Sequence, residues 1–240
     1  MPFKPSATEL PTEAHTSTKS QSQSRSPLDE TKHQPPKHLY FAYGSNLSPT
    51  QMKSRCTVDP ESSSKPLAIA TLPHWRWFIC EAGYANVLPP AGLRVPSQDS
   101  DIAAQVPISG PEDLVYGVLY SMDPGDEGIL DTYEGVDVES DESQGEWVGV
   151  DVRPREQGDG SYNKWYVEAA VVKWLEGDGR GYEEKVPVLV YVDEQCVRLA
   201  GPKVEYIARM NRAIRESTGL GIPLQWVDAV MRRFIPKDRD

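Results

Sequence analysis

The sequence LYFAYGSNLSPTQM at Leu39–Met52 joins a strand pattern to a helix pattern through Gly-Ser-Asn. Aromatic and apolar residues at 39–43 predict a buried strand. Ser-Pro at 48–49 indicates a helix start, with serine as the N-cap and proline at the first helical position. Residues 44–46 are therefore expected to form a loop between a strand end and a helix N-terminus.

This loop has the features of a site for a small anionic ligand. Glycine at the end of a strand lets the backbone approach a ligand without a Cβ in the way. Backbone N–H groups, the side chains of Ser45 and Asn46, and the positive end of the following helix favour a carboxylate or a developing oxyanion. The alternative is a strand that ends in an ordinary turn.

The 240 residues are enough for one sizeable core, and one folded domain is expected over residues 38–240. Residues 1–37 are rich in Ser, Thr, Gln and Pro and nearly lack large apolar side chains. They are predicted to be a disordered tail, because they cannot bury enough apolar surface to offset the entropy of ordering. The tail has neither the apolar segment of a secretory signal nor the arginine-rich, acid-poor composition of a mitochondrial leader.

Composition limits the kinds of partner. The formal net charge of −11 disfavours nucleic acid and anionic membranes, and no apolar run is long enough for a transmembrane helix. The three cysteines are widely spaced and contain no Cys-x-x-Cys, which indicates free thiols in a reducing compartment. We expect a cytoplasmic protein that binds a small molecule or another protein.

The remaining elements predict an α+β fold, a small mixed, mostly antiparallel β-barrel with flanking α-helices. Strands are expected at 67–72, 74–81, 113–122, 147–154, 163–175 and 186–193. Asp-Gly in QGDGSY (157–162) and GDGRGY (177–182) predicts antiparallel hairpins between the last three strands. A short helix is expected from about Asp126 to Tyr133 or Glu134. Two more are expected at 203–217, with Val204, Ile207 and Met210 on one face and Ile214 one turn on, and at 223–235. The stretch Ala91–Pro111 is interpreted as a loop.

Metal and nucleotide motifs are absent from the sequence, so neither a metal nor a cofactor is expected. A hydrolase that pairs Cys56 or Cys80 with His74 is conceivable, but buried structural thiols are far commoner. The six tryptophans are interpreted as core residues.

Glu134 is the candidate general acid/base. It lies at the C-terminal end of a predicted helix, where a carboxylate opposes the helix dipole, and Asp131, Asp137 and Glu139 are its sequence neighbours. Both effects raise the pKa of a carboxyl group, as general acid/base catalysis requires. The alternative is a solvated acidic helix end.

Four segments, in this order, resemble the γ-glutamylcyclotransferase family: LYFAYGSNL, VYGVLYSM, LDTYEGV and PKVEYIARMNRAI with GIP. The resemblance runs from His38 to Pro223 and implies a small β-barrel with flanking helices. The family's general base, the Glu of its EG motif, falls on Glu134. Its substrate loop falls on Tyr40, Phe41, Ala42, Tyr43, Gly44 and Ser45, with Asn46 adjacent. A tyrosine that contacts the substrate falls on Tyr206.

The resemblance implies cleavage of a γ-glutamyl amide by cyclisation, without a cofactor or metal. The substrate's α-amine attacks its own γ-carbonyl and releases 5-oxoproline and an amino acid, peptide or amine. Glu134 would take a proton from the α-amine and pass it to the departing nitrogen, while the loop grips the glutamyl head.

The sequence departs from the family after the acidic motif, where compact members have Gly and Tyr close behind. Here the link is longer and acidic (137–146), and Trp147 stands near the place of the tyrosine. Free γ-glutamyl amino acids, glutathione, a glutathione conjugate in a gliotoxin-like fungal toxin pathway and γ-glutamylamines stay open as substrates. A barrel that binds a ligand without turnover is the alternative from another class. A monomer or weak homodimer is expected.

Overall fold

The computed structural model describes residues 39–99, 101, 105–110, 113–175 and 184–238. The predicted tail (1–37) and the predicted turn GDGRGY (177–182) lie outside the described residues. No helix within the described part is long and apolar enough to cross a membrane.

Five strands form a closed barrel in the order β1-β5-β2-β6-β7. β1 pairs with β7 in parallel, and the other neighbouring pairs are antiparallel. A separate two-stranded ribbon consists of β3 and β4. The strands are β1 (Leu39–Ala42), β2 (Pro66–Pro73), β3 (Arg76–Ile79), β4 (Ala85–Leu88), β5 (Leu114–Tyr120), β6 (Asn163–Trp174) and β7 (Lys185–Val192). The predicted mixed, mostly antiparallel barrel is confirmed.

The α-helices of the described residues are α1 (Pro49–Arg55), α2 (Pro60–Ser63), α3 (Pro124–Glu134), α4 (Val204–Leu220) and α5 (Leu224–Ala229). The first three begin after a residue whose side chain caps the helix. Ser48 is the N-cap of α1, and its side chain accepts a hydrogen bond from the N–H of Gln51. Asp123 caps α3 in the same way, through the N–H of Gly125. The predicted helix at 223–235 is shorter than expected and continues as a 3-10 turn at Met231–Arg233.

The predicted strand at 147–154 is wrong. This segment turns instead, because the N–H groups of Val152 and Arg153 both donate to the carbonyl oxygen of Gly149. The apolar residues that suggested a strand do not share a buried face: Trp147 and Val150 are exposed, whereas Arg153 is buried. The hairpin predicted through 157–162 is therefore absent, although β6 and β7 are antiparallel neighbours as expected.

The predicted face of α4 is confirmed in part. Met210 and Ile214 are buried as expected, but Val204, the first residue of the helix, is 86% exposed. The buried residues of α4 are Tyr206, Met210, Asn211, Ala213, Ile214 and Ser217.

Candidate active site

A cavity of about 480 Å³ opens at the end of β1. Seven of the residues singled out in the sequence line it: Tyr40, Tyr43, Gly44, Ser45, Asn46, Glu134 and Tyr206. Phe41 and Ala42 do not, and both are fully buried in the core. Phe41 lies against β5, where a Cβ on Gly117 would come within 2.5 Å of its ring. Because successive side chains of a strand point to opposite faces, Phe41 packs in the core while its neighbour Tyr40 lines the cavity.

The end of α3 fixes the position of Glu134. Gly135 follows it with φ +65° and ψ +42°, the left-handed conformation that glycine adopts at low cost. The N–H of Gly135 donates to Thr132 and that of Val136 to Asp131, which is a Schellman motif. Because the helix must stop there, Glu134 is its last residue and faces the cavity.

Two donors hold the carboxylate of Glu134. Its Oε1 accepts hydrogen bonds from Asn46 Nδ2 at 3.1 Å and from Arg55 Nη1 at 2.8 Å. Burial raises the pKa of Glu134 above its ordinary value, although Arg55 and Asn46 act in the opposite direction. The raised pKa agrees with the sequence prediction, but its main cause is burial rather than neighbouring carboxylates. Asp131, one of those neighbours, forms an ion pair with Lys164.

The side chains expected to grip a substrate also hold each other. Asn46 Nδ2 donates to the hydroxyl of Tyr40 at 2.9 Å as well as to Glu134. Gln51 Nε2 donates to Asn46 Oδ1 at 3.1 Å and to Ser45 Oγ at 2.6 Å. The loop is therefore organised before any ligand arrives, with Asn46 orienting the carboxylate of Glu134.

The start of α1 already holds a carboxylate. Ser48 Oγ and the N–H of Thr50 donate to Glu216 Oε2 of α4, at 2.6 and 3.1 Å. Burial alone would raise the pKa of Glu216, but these hydrogen bonds hold it below its ordinary value. The part of the predicted anion cradle formed by the helix N-terminus is thus occupied by the protein itself.

Tyr206 and Gly44 meet closely at the cavity wall. The N–H of Ser45 donates to the Tyr206 hydroxyl at 3.3 Å. A Cβ on Gly44 would lie 3.0 Å from that hydroxyl oxygen and 3.4 Å from Ala85 Cβ. Since Gly44 does not have a positive φ, contact with Tyr206 and Ala85 explains the glycine.

Replacement of Gly44 by alanine is expected to lower stability by about 1–3 kcal/mol, the usual cost of overpacking, and to weaken the Ser45–Tyr206 hydrogen bond. Thermal unfolding would measure the loss. Gly201→Ala is the matched control, because a Cβ there meets nothing within 4 Å. In a Tyr206→Phe background, Gly44→Ala should cost less, since the obstructing oxygen is gone. An equal cost in both backgrounds would contradict the explanation.

Several residues of the cavity were not found from the sequence. They include Arg55, Tyr84, Tyr162, Tyr191, Asp193 and Arg209. The sequence did contain one indication, since Gln51 and Arg55 are polar residues one helical turn apart on α1. In the structure Gln51 donates a hydrogen bond to Asn46, and Arg55 donates one to Glu134. Trp147, which stood near the place of a family tyrosine, is 59% exposed, whereas Tyr162 lines the cavity.

A cysteine nucleophile has little support. Burial raises the pKa of Cys56 and of Cys80 to about 11, which keeps both thiols protonated at neutral pH. His74 is exposed. In the described stretches no three His, Cys, Asp or Glu side chains are grouped to hold a metal ion.

Neither a protein-family model nor a curated protein matches the chain. Among similar solved structures, YkqA from Bacillus subtilis is 18% identical with a TM-score of 0.48, and the match covers 84% of this chain and 56% of YkqA. The uncharacterized human protein loc79017 is 18% identical with a TM-score of 0.48, covering 85% and 90%. A yeast γ-glutamyl cyclotransferase specific to glutathione is 14% identical with a TM-score of 0.41, covering 80% and 96%.

All of these identities are below 20% and all of these TM-scores are below 0.5. The described chain has the α+β barrel with flanking helices that was expected from the sequence. It spans 56% of the length of YkqA.

Proposed function

We propose that the protein is a γ-glutamylcyclotransferase with Glu134 as its general base and acid. The observation that carries the proposal is a carboxylate in a cavity, held by Asn46 and Arg55, whose pKa is raised by burial. A raised pKa brings a carboxyl group closer to the operating pH, where a general base is most effective.

In the proposed reaction the α-ammonium of the substrate first gives a proton to Glu134. The free amine attacks the γ-carbonyl carbon, and a new C–N bond closes the five-membered ring, which leaves an oxyanion and a protonated ring nitrogen. Glu134 returns its proton to the leaving nitrogen, and its carboxylate then takes the extra proton of the ring nitrogen as the carbonyl re-forms and the bond to the leaving nitrogen breaks. That second proton passes to the released amine, which departs as an ammonium ion, and Glu134 is again a carboxylate. The products are 5-oxoproline and the leaving amine, and the reaction needs no water, metal or redox cofactor.

The structure supports this mechanism through preorganisation. Arg55, Asn46 and Tyr40 fix the base before the substrate binds. Ring closure is intramolecular, and well-oriented groups can contribute about 7–11 kcal/mol to such a step. The cavity therefore has to hold the glutamyl chain folded, with its amine towards Glu134.

The direct test is release of 5-oxoproline, measured by mass spectrometry, from γ-glutamyl-alanine and from glutathione. Release from either substrate supports the proposed reaction and begins to define the leaving group. Release from neither, but from a glutathione conjugate, would place the enzyme among those that act on larger adducts. Binding without release from any of them would favour the ligand-binding barrel.

The pH dependence of kcat/KM should show an acidic limb set by Glu134. The reactive form is the carboxylate, so the rate falls as pH drops through its pKa. Because burial raises that pKa, the limb should lie above the value of about 4.3 found for glutamate in model peptides. An activity that stays constant through this region would contradict the assignment of the base.

The same shift affects stability. A carboxyl group with a raised pKa in the folded state contributes stability that is present below its unfolded pKa and lost as pH rises through its folded pKa. Glu134→Gln should therefore gain stability relative to the natural protein as pH rises through that interval. Thermal unfolding of both proteins across the pH series measures the difference. A difference in stability that does not change with pH would contradict the raised pKa.

A further inference from the structure

The cavity has a cationic rim that the proposed mechanism does not use. Tyr84, Lys203 and Arg209 line this rim. Lys203 Nζ lies 4.4 Å from the ring centroid of Tyr84, and the guanidinium carbon of Arg209 lies 5.8 Å from it. The rings of Tyr84 and Tyr206 pack edge to face with centroids 5.1 Å apart. The rim is therefore adjacent to Tyr206, whose hydroxyl accepts a hydrogen bond from the N–H of Ser45.

Lys203 is held in place by its surroundings. Its N–H donates to the carbonyl oxygen of Gly83 at 3.1 Å. Its stem lies against the same glycine, where a Cβ would come within 2.7 Å of Lys203 Cγ, and Gly83 has φ +79°. Nζ donates to the hydroxyl of Tyr84 at 3.3 Å. Lys203 is an exposed residue, and these contacts place its ammonium group at the cavity rim.

The other cations of the cavity have carboxylate partners. Arg55 pairs with Glu134 at 2.8 Å, and Arg209 pairs with Glu205 at 2.9 Å. Glu205 also accepts a hydrogen bond from Tyr84. Across the residues that the structure describes, no carboxylate lies within ion-pair distance of Lys203. The ammonium group donates one hydrogen bond, to Tyr84, and attracts the nearby Glu205 carboxylate without pairing with it, so its remaining N–H groups can bind an incoming anion.

We infer that Lys203 binds the carboxylate of the leaving amino acid or peptide, so that the substrates are γ-glutamyl amino acids and peptides in preference to γ-glutamylamines. The inference rests on the proposed function, which assigns the Glu134 end of the cavity to the glutamyl head. The leaving group then extends towards the rim. An amino acid or peptide carries a carboxylate there, whereas a simple amine does not, and the ammonium of Lys203 distinguishes the two.

The test compares an acid with its amide in a background without turnover. γ-Glutamyl-alanine and γ-glutamyl-alanine amide are titrated by calorimetry into Glu134→Gln and Glu134→Gln/Lys203→Met. Methionine keeps an unbranched stem against Gly83 and removes the charge. Affinity for the acid should fall about fivefold, the effect of one partly exposed ion pair, while affinity for the amide stays the same. Glutathione and its C-terminal amide repeat the comparison for a leaving peptide.

Lys185→Met is the matched control, because this lysine is 68% exposed on β7 and is not part of the cavity lining; it should change neither affinity. An equal loss for acid and amide, no loss for either, or no binding of the acid would overturn the inference. Release of 5-oxoproline by the natural protein is measured separately. If the acid is distinguished through Lys203 but no 5-oxoproline appears, the binding assignment stands and the proposed reaction fails. If 5-oxoproline appears without that distinction, the reverse holds.

Discussion

Replacement of Glu134 by glutamine is expected to lower 5-oxoproline release by about 10²–10⁴-fold, the usual contribution of a general acid/base. Glutamine keeps an oxygen that can accept the hydrogen bonds from Asn46 and Arg55. It cannot take the proton of the α-ammonium, so the loss should appear in kcat with little change in substrate affinity. Quenched assays analysed by mass spectrometry would measure the rate, and calorimetry the affinity.

Glu168→Gln is the matched control for this experiment. Glu168 lies on β6 with its side chain 71% exposed, and its contact with Lys185 is a surface pair at 3.8 Å. Its removal should leave the rate unchanged. If Glu134→Gln were as active as the control, Glu134 would not be the base.

Replacement of Arg153 by methionine is expected to lower the free energy of unfolding by about 3–5 kcal/mol. Arg153 forms a two-point ion pair with Glu194, at 2.8 and 2.7 Å, and the two side chains are only 7% and 5% exposed. Without the arginine, Glu194 would stay buried with only neutral donors, Asn163 and Trp165. The melting temperature should fall by about 6–20 °C for a protein of this size.

Two variants separate charge burial from lost packing. Glu194→Gln in the Arg153→Met background removes the stranded charge and should restore part of the loss. Glu156→Gln removes the other ion-pair partner of Arg153. The side chain of Glu156 is 45% exposed, so this change should lower the free energy of unfolding by at most about 1 kcal/mol. Equal losses in Arg153→Met and Glu156→Gln would contradict the importance of burial. Asp193 precedes Glu194 in sequence, and the side chain of Gln157 accepts a hydrogen bond from the N–H of Glu194. Both line the cavity, so the ion pair also supports the site wall.

The elements that sequence predicted well depend on local interactions. The Ser48 cap and the stop of α3 at Gly135 each involve hydrogen bonds or backbone angles within a few residues. Such preferences act on neighbouring residues and are therefore visible in the sequence. Predictions that depended on which residues meet across the fold failed more often. Residues 147–154 have strand composition, yet they form a turn and bury Arg153 beside Glu194.

By itself, the sequence determined the α+β class, the start of α1 at Ser48 and the end of α3 at Gly135, because these follow from periodicity, capping and glycine. The tertiary structure alone decided what these groups contact. Glu216 reaches the start of α1 across 168 residues from Ser48, and Arg55 reaches Glu134 across 79. Ion pairs and hydrogen bonds between distant residues form only where the barrel and helices bring their elements together. The electrostatic environment of Glu134 is therefore a property of the fold.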